Sequence, residues 1–452
     1  METETKELKV LNTANPTSDI RARWAWVEPS VWTERMLWAL ENGISGVEET
    51  KWFGLIDKVY KIVNLTRAYE KTARNKGAAG VDHVSVMGYG KHLETNLARL
   101  QEQLVEGTYR PSRIRRTYIP KPGGSEKRPL GIPTVQDRIV QTAVRHVIEP
   151  IFEQTFAENS YGFRPGRGCK DALRQVAGLL DSGHVYIVDA DLRQCFDRIP
   201  HSRLLERVKE RVADRKALKL IQSFLKQEIL DAGAVLSPEN EGTPQGATLS
   251  PLLCNIFLNP LDHLMEKAGK NMVRYADDFI IACKTREEAE FALEMLREWT
   301  ESNGLELHPE KTRIAEMNQP GEYFDFLGYR FKLSKKGKIT RFSCPKSEKK
   351  LRGKLRILTR RANGKSMEEI IRRCNRILRG WFEYFKHSNK WALIAIDGWL
   401  RMRLRSIQRK RRKRKGIGRG ADNQRWPNAY FAKLGLFSLY TARAEAISPQ
   451  RG

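Results

Sequence analysis

The 452-residue sequence has only six cysteines, Cys169, Cys195, Cys254, Cys283, Cys344 and Cys374, and no two of them form a Cys-x-x-Cys pair. That scatter fits neither a zinc module nor a secreted disulfide framework, so a reduced, cytosolic protein is expected. No apolar run approaches the ~20 residues that a helix needs to span a bilayer, and no membrane partner is expected. The opening segment Met1–Val10 is charged and lacks the apolar stretch of a signal peptide. Internal repeats are also missing. Acidic residues are scarce: 54 Asp and Glu stand against 81 Lys and Arg, a formal net charge of +27. Such a surplus points to a polyanionic partner, because each phosphate neutralised releases condensed counterions.

Hydrophobic residues make up 40% of the chain and aromatics 9%, values of globular rather than disordered proteins. The length allows two or three lobes, each with a core. The charge is unevenly spread. Residues 331–430 hold 32 Lys and Arg against 6 Asp and Glu, while the other 352 residues hold 49 against 48. Within the basic stretch, Ile370–Leu378, Trp381–Phe385 and Trp391–Leu404 alternate cations with large apolar residues. These segments can bury one face, which favours a folded, mainly helical basic domain over a disordered tail. Only Arg409–Lys415, seven basic residues in succession, reads as a solvated run.

Five regions follow: an N-terminal extension over 1–60, then 61–180, 181–330, a basic helical domain over 331–405, and a basic C-terminal segment over 406–452. The first contains Trp24, Trp26, Trp32 and Trp38 around an amphipathic helix expected to start near Pro29, and these indoles read as packing residues. In the second, Arg116–Pro133 has alternating ends around Pro122-Gly123-Gly124, the pattern of two strands joined by a flexible loop. The third alternates strands and helices.

The chemistry concentrates there. His184–Leu192 is an apolar, β-branched strand ending in Asp189 and Asp191. Met272–Ala282 places apolar runs on both sides of Asp277-Asp278, as in a hairpin with two carboxylates at its turn. Strand alternation would aim the two side chains differently, so a partner from a neighbouring strand is needed, and Asp191 can supply it. Carboxylates grouped in this way can hold two divalent cations ~3.5–4 Å apart for an in-line phosphoryl displacement. Mg²⁺ suits such a site, since it binds few carboxylates together with substrate phosphates. Alone, an Asp-Asp pair marks an acidic turn more often than a metal site; its neighbours in sequence decide.

Those neighbours carry a family resemblance. Tyr275-Ala276-Asp277-Asp278 resembles the YxDD box of reverse transcriptases, Asp191–Asp197 the box that precedes it, and Gly242–Leu253 the intervening PQG box. Ile119–Pro133 resembles the fingers hairpin, Tyr161–Gly168 a neighbouring fingers motif, Gly304–Thr312 a later palm motif, and Phe326–Tyr329 a primer-grip turn. Arg379–Phe385 and Gly435–Tyr440 resemble the thumb-like maturase domain of group II intron-encoded reverse transcriptases. The resemblance covers nearly the whole chain. It implies an α+β right-hand polymerase, with fingers over 61–180 and palm over 181–330 interleaved as an antiparallel sheet packed on helices, followed by a helical thumb and maturase domain.

It also implies roles. Asp191 and Asp277 would bind two Mg²⁺ ions, with Mn²⁺ as a substitute; Asp278 would support them and the Leu192 carbonyl would complete one shell. Lys121 and Arg128 would grip the incoming deoxynucleoside triphosphate, with Lys127 as the alternate for either. Phe196 would lie under its sugar and exclude a 2′-hydroxyl, and Gln245 and Gly246 would line the nucleotide and template path. Lys311 is read either as the general acid for pyrophosphate departure or as a surface lysine. Arg164, Arg167, Arg379 and the run Arg411, Arg412, Lys413 and Arg414 would contact nucleic acid. Asp189 and Asp197 are read as structural. Expected partners are a group II intron RNA, an RNA template with its DNA primer, and target DNA, in a bacterial cytosol and nucleoid. With no histidine after His387 and no cysteine after Cys374, an H-N-H endonuclease and its second-strand nicking are not expected. Two other readings share these boxes: a host-adopted reverse transcriptase in repair or phage defence, and a non-enzymatic splicing chaperone.

Overall fold

The computed structural model describes residue 27 and residues 31–41, 51–120, 127–237, 240–334 and 337–447. Trp24, Trp26, Pro29 and Lys121 lie outside these residues. Helices of eight or more residues are numbered here. The first three are α1 (Glu34–Glu41), α2 (Ile62–Arg74) and α3 (Leu93–Glu106). They pack around α4 (Val135–Glu153), a helix buried along most of its length. Thr134 starts α4 as its N-cap, accepting the Asp137 backbone N–H at 3.1 Å, which satisfies one donor that the helix itself cannot. Just before α1, the buried Trp32 donates its indole N–H to the His146 carbonyl of α4 at 3.0 Å, which bears out its reading as a packing residue.

The fingers hairpin is β1 (Ile114–Pro120) and β2 (Lys127–Ile132). Two short strands, β4 (Ile229–Asp231) and β5 (Ala234–Leu236), join it in the order β2-β1-β4-β5, with β1 parallel to β4. Residues from the expected palm range therefore complete the fingers sheet. Between these strands come α5 (Cys169–Asp181), β3 (Tyr186–Asp191), α6 (His201–Lys209) and α7 (Arg215–Leu225).

The palm sheet is β6 (Asn271–Tyr275), β7 (Asp278–Cys283), β3 and β8 (Arg313–Glu316), all antiparallel, in the order β6-β7-β3-β8. Val188, Phe279 and Ile281 of this sheet pack with α8 (Ser250–Lys267) and α9 (Arg286–Ser302) in a hydrophobic core that runs without a break from Val27 to Leu305. Fingers and palm share that core. A smaller antiparallel sheet, β9 (Tyr323–Phe326), β10 (Tyr329–Leu333) and β11 (Ile339–Ser343), lies against β7 and β8 and shares a core with α5, in which the Phe324 and Phe331 rings stack at 4.8 Å.

The basic domain folds as helices. They are α10 (Pro345–Leu358), α11 (Met367–Phe385), α12 (Lys390–Arg411) and α13 (Leu439–Ile447). Leu351, Leu355, Ile370, Leu378, Ile396, Leu400, Leu404 and Phe431 form their core, separate from that of the palm. The boundary expected at 405/406 is corrected: it falls inside α12, and Ile407, Trp426 and Leu439 beyond it belong to the same core. Arg409 pairs with the buried Asp422 at 2.8 Å, so even the seven-residue basic run begins on a structured helix. No described helix is long and apolar enough to cross a membrane.

Candidate polymerase active site

The β3–β7 register sets Asp191 directly opposite Asp278. Cross-strand partners share a face, so these two carboxylates project together, and alternation adds Asp189 to the same side. Asp277 sits beside them in the two-residue turn between Tyr275 and Asp278. Burial, reinforced by the neighbouring Asp189, Asp277 and Asp191 carboxylates, pushes Asp278 up to about 7. Burial pushes Asp189 up to about 6, and burial together with Asp191 raises Asp277. The site is thus an under-neutralised group of acids. The Lys311 ammonium lies 2.5 Å from the Asp191 carboxylate.

The backbone beside Asp191 is arranged with equal economy. The Asp191 carbonyl accepts the His308 N–H at 2.7 Å, and the Arg193 N–H reaches the Glu306 carbonyl at 2.8 Å. Antiparallel alternation turns the intervening Leu192 carbonyl to the opposite side, toward the Ala276-Asp277 turn. Among the described residues no group of three or more His, Cys, Asp or Glu side chains is placed to hold a metal ion by itself. The donors beside the turn, Asp191, Asp277 and the Leu192 carbonyl, are hard oxygens, the donor type that hard divalent cations take together with waters and phosphates.

What fixes the turn was not legible in the motifs. Ala276 has a φ of +61°, a backbone conformation that a non-glycine residue holds only when its surroundings impose it. Arg274, with no exposed surface, imposes it. Its guanidinium binds Asp262 through Nε at 2.7 Å and Nη2 at 2.5 Å, Asn255 through Nη1 at 3.0 Å, and the Ala276 carbonyl at 3.0 Å. Asn255 in turn donates to the Gly162 carbonyl at 2.7 Å. Gly162 presses on the turn so closely that a Cβ there would lie 2.2 Å from the Ala276 nitrogen. One buried polar circuit therefore locks α8, the fingers loop and the acid-bearing turn together.

The fingers meet the palm at the PQG loop. The Gly131 N–H of β2 donates to the Gln245 carbonyl at 2.6 Å, and Gly246, at φ +103°, leaves no room for a Cβ against the Gly131 oxygen. The Gln245 carboxamide binds Asp197 at 2.8 Å, and Phe196 accepts the Thr243 N–H at 2.6 Å while packing half-buried on the core. Arg128 shares its hairpin face with Leu130, which lies against Gly246, whereas alternation turns Lys127 to the other face. The Arg128 guanidinium is near enough to offset part of the upward shift of both Asp197 and Asp277.

One expected nucleic-acid contact is corrected. Arg164 is buried, with its donors committed to Glu153 (2.7 Å) and to the Ala157 and Ser160 carbonyls (2.6 and 2.8 Å). It staples the fingers loop and has nothing left for a phosphate. Arg167 is held by Glu158 and lies over the Tyr161 ring. Arg379 is exposed above Phe437, 4.7 Å from the ring centroid. Arg411, Arg412, Lys413 and Arg414 are exposed far along the chain from the catalytic strands, on the thumb.

The thumb nonetheless reaches the acids through one turn. Leu327 (φ +48°) and Gly328 (φ +80°) join β9 to β10, and the Leu327 backbone N–H helps hold the Asp278 carboxylate. The Leu327 carbonyl accepts the Tyr384 hydroxyl of α11 at 2.7 Å, and Tyr329 donates back to the Tyr384 carbonyl at 2.5 Å.

Residues 119–331 match the reverse transcriptase (RNA-dependent DNA polymerase) family, and residues 348–426 match the group II intron, maturase-specific domain. The protein YkfC of Escherichia coli K12 is 33% identical over 371 residues, 73% of this chain and 91% of YkfC. The group II intron-encoded protein LtrA of Lactococcus lactis subsp. cremoris is 31% identical over 341 residues, 61% of this chain and 56% of LtrA, so the chain spans little more than half of that relative. A carboxylate-bearing palm, a fingers hairpin locked to a PQG loop and a basic helical domain agree with both matches: the chain belongs to the reverse transcriptases that carry a group II intron maturase domain.

Proposed function

We propose that this protein is the RNA-directed DNA polymerase of a group II intron, that its basic helical domain binds the intron RNA as a maturase to assist splicing, and that it serves mobility by target-primed reverse transcription. The observation that carries the polymerase reading is the β3–β7 register, which sets Asp191 opposite Asp278 with Asp277 in the adjoining turn, within electrostatic reach of Arg128. When bound, two divalent ions, Mg²⁺ or Mn²⁺, would activate the primer 3′-hydroxyl and neutralise the leaving pyrophosphate. Asp191, Asp277 and the Leu192 carbonyl would hold them, with Asp278 as support. Arg128 and Lys121 would bind the triphosphate of the incoming deoxynucleotide, the arginine in a bidentate fork and the lysine as a point charge. Phe196 would meet its sugar, and Gln245 and Gly246 the templating base pair. Lys311, already beside Asp191, would hand a proton to the departing pyrophosphate.

A purely chaperoning role accounts poorly for the palm. Clustered acids raised in pKa by burial repel RNA and cost stability, and a binding protein has no use for them. Primer extension on an RNA template tests the polymerase. Wild-type protein should extend a DNA primer in Mg²⁺ and Asp277→Ala should not, while full extension by that variant would refute the metal assignment. Adding the protein to the precursor RNA of the adjoining intron tests the maturase, with faster splicing expected; active polymerase with no intron RNA to bind favours the host-adopted reading instead.

A further inference from the structure

An open cleft of about 710 Å³ lies on the thumb, between α12 and the loop that follows it, well outside the palm. Its walls include Trp399, Arg401, Arg405, Arg419, Asn423 and Asn428, and no acidic residue. That volume falls within the roughly 300–1,000 Å³ of small-ligand sites. Arg405 is a wall rather than a donor, because its guanidinium is committed to the Trp426 carbonyl and the Asn428 side chain, both at 2.8 Å. Arg401 and Arg419 have no acidic partner among the described residues, and Arg401 is close enough to help lower the Arg405 pKa, with burial the larger cause. Around the Trp399 ring stand three more guanidiniums, those of Arg352, Arg356 and Arg403, at 5.0, 5.9 and 5.6 Å from its centroid. None of these three lines the cleft.

The cleft is also preformed. Gly418 sits so tightly against α12 that a Cβ would lie 2.5 Å from the Arg405 Cβ and 2.8 Å from its backbone, and its N–H donates to the Ser406 hydroxyl at 2.9 Å. Of the guanidiniums crowded around this indole only Arg352 has a carboxylate partner among the described residues, Glu348 at 3.8 Å, so the others repel one another and are costly to a free protein. They become favourable when an anion enters. A bare phosphate would use the arginines but not the indole or the two carboxamides. A ligand with an anionic end, a flat π face and hydrogen-bonding edges uses all of them, and a nucleotide unit of a single strand has that make-up.

We infer that this cleft is a nucleotide-binding subsite of the thumb, which takes an unpaired RNA nucleotide with its base against Trp399 and its phosphate on Arg401 and Arg419. This rests on the reading of the basic domain as an RNA binder and gives that reading one defined pocket. Unpaired bases in loops and bulges are the parts of a structured RNA free to enter such a site, whereas a duplex keeps its bases stacked inside.

The test is photocrosslinking of the full-length protein to a single-stranded RNA decamer containing 5-iodouridine, with the adducts mapped by mass spectrometry. A crosslink at Trp399 or Met402 is expected. It should fall at least about ten-fold in Arg401→Gln/Arg419→Gln and in Trp399→Leu, in line with the loss of one stacked base. Primer extension on a short RNA template should stay within about two-fold, since none of these residues belongs to the palm. A duplex RNA of the same length should not crosslink there. Crosslinks confined to the polymerase cleft, or equal labelling by the matching iodinated DNA decamer, would overturn the subsite while leaving the polymerase intact. Loss of extension in the wild-type protein would instead strike the wider functional reading.

Discussion

Arg274 of the palm has no exposed surface and three partners, whereas Arg411, Arg412 and Lys413 of the thumb face solvent with no carboxylate paired to them among the described residues. The same residue types thus work in two opposite ways. In the buried Arg274–Asp262 pair of the palm, cation and anion are matched and desolvated, so geometry is stiff and a misplaced charge is expensive. In the thumb, cations are spread over helices whose apolar sides supply the stability, so the charge is available to a polyanion. Chemistry demands the first arrangement and sequence-independent nucleic-acid binding the second.

This contrast can be broken most severely at the acids. Asp191→Asn should cut the extension rate by roughly 10³-fold or more, because it removes a ligand to ions that lower the barrier by several kcal/mol. RNA affinity should hardly change, as filter binding would show. Next comes the buried pair. Arg274→Met alone strands the Asp262 charge and should cost about 3–5 kcal/mol in urea unfolding. Adding Asp262→Leu should recover most of that stability, yet extension should stay below wild type because the Ala276 carbonyl has lost its anchor; full recovery of both would show that Arg274 is structural only.

A third effect is set by pH. Asp278, raised to about 7, and Asp189, raised to about 6, hold protons more tightly in the folded than in the unfolded chain. The folded state therefore binds more protons between the ordinary carboxylate pKa of ~4 and about 7, and metal-free stability falls as pH rises through that window. The slope should be about 1.4 kcal/mol per pH unit for each extra proton, hence steepest below about pH 6, where both acids hold one, and about half as steep from there to about 7. Thermal unfolding in EDTA should show it, and millimolar Mg²⁺ should flatten it by binding the ionised acids. Smallest in its effect on the fold is Arg411→Gln/Arg412→Gln/Lys413→Gln. Unfolding should move by less than about 0.5 kcal/mol, while the slope of log affinity for RNA against log salt should drop by about 2.

The strands and their acids were legible because β-branched apolar runs around Asp191 and Asp277 leave little choice of structure. The partner needed for the Asp pair followed from alternation alone. Arg274 escaped notice because its partners lie 12 and 19 residues away on a helix, and sequence shows a charge but not what surrounds it. The same blindness misplaced Arg164, which carries the charge of a phosphate contact but folds inward onto Glu153. The strands β4 and β5 have three residues each, too few for a period to register, so their addition to the fingers sheet was hidden. In the thumb, the basic run masked Ile407, whose helical spacing from Leu404 continues α12 toward Trp426 and Phe431.

The central claim is that the palm's acids perform the chemistry and the thumb's cations hold the nucleic acid, each separable from the other. It is tested most directly by measuring single-nucleotide incorporation and RNA affinity on one preparation of Asp277→Ala. The account predicts incorporation reduced to background with affinity within about two-fold of wild type. Incorporation near the wild-type rate, or a collapse of affinity together with activity, would contradict it.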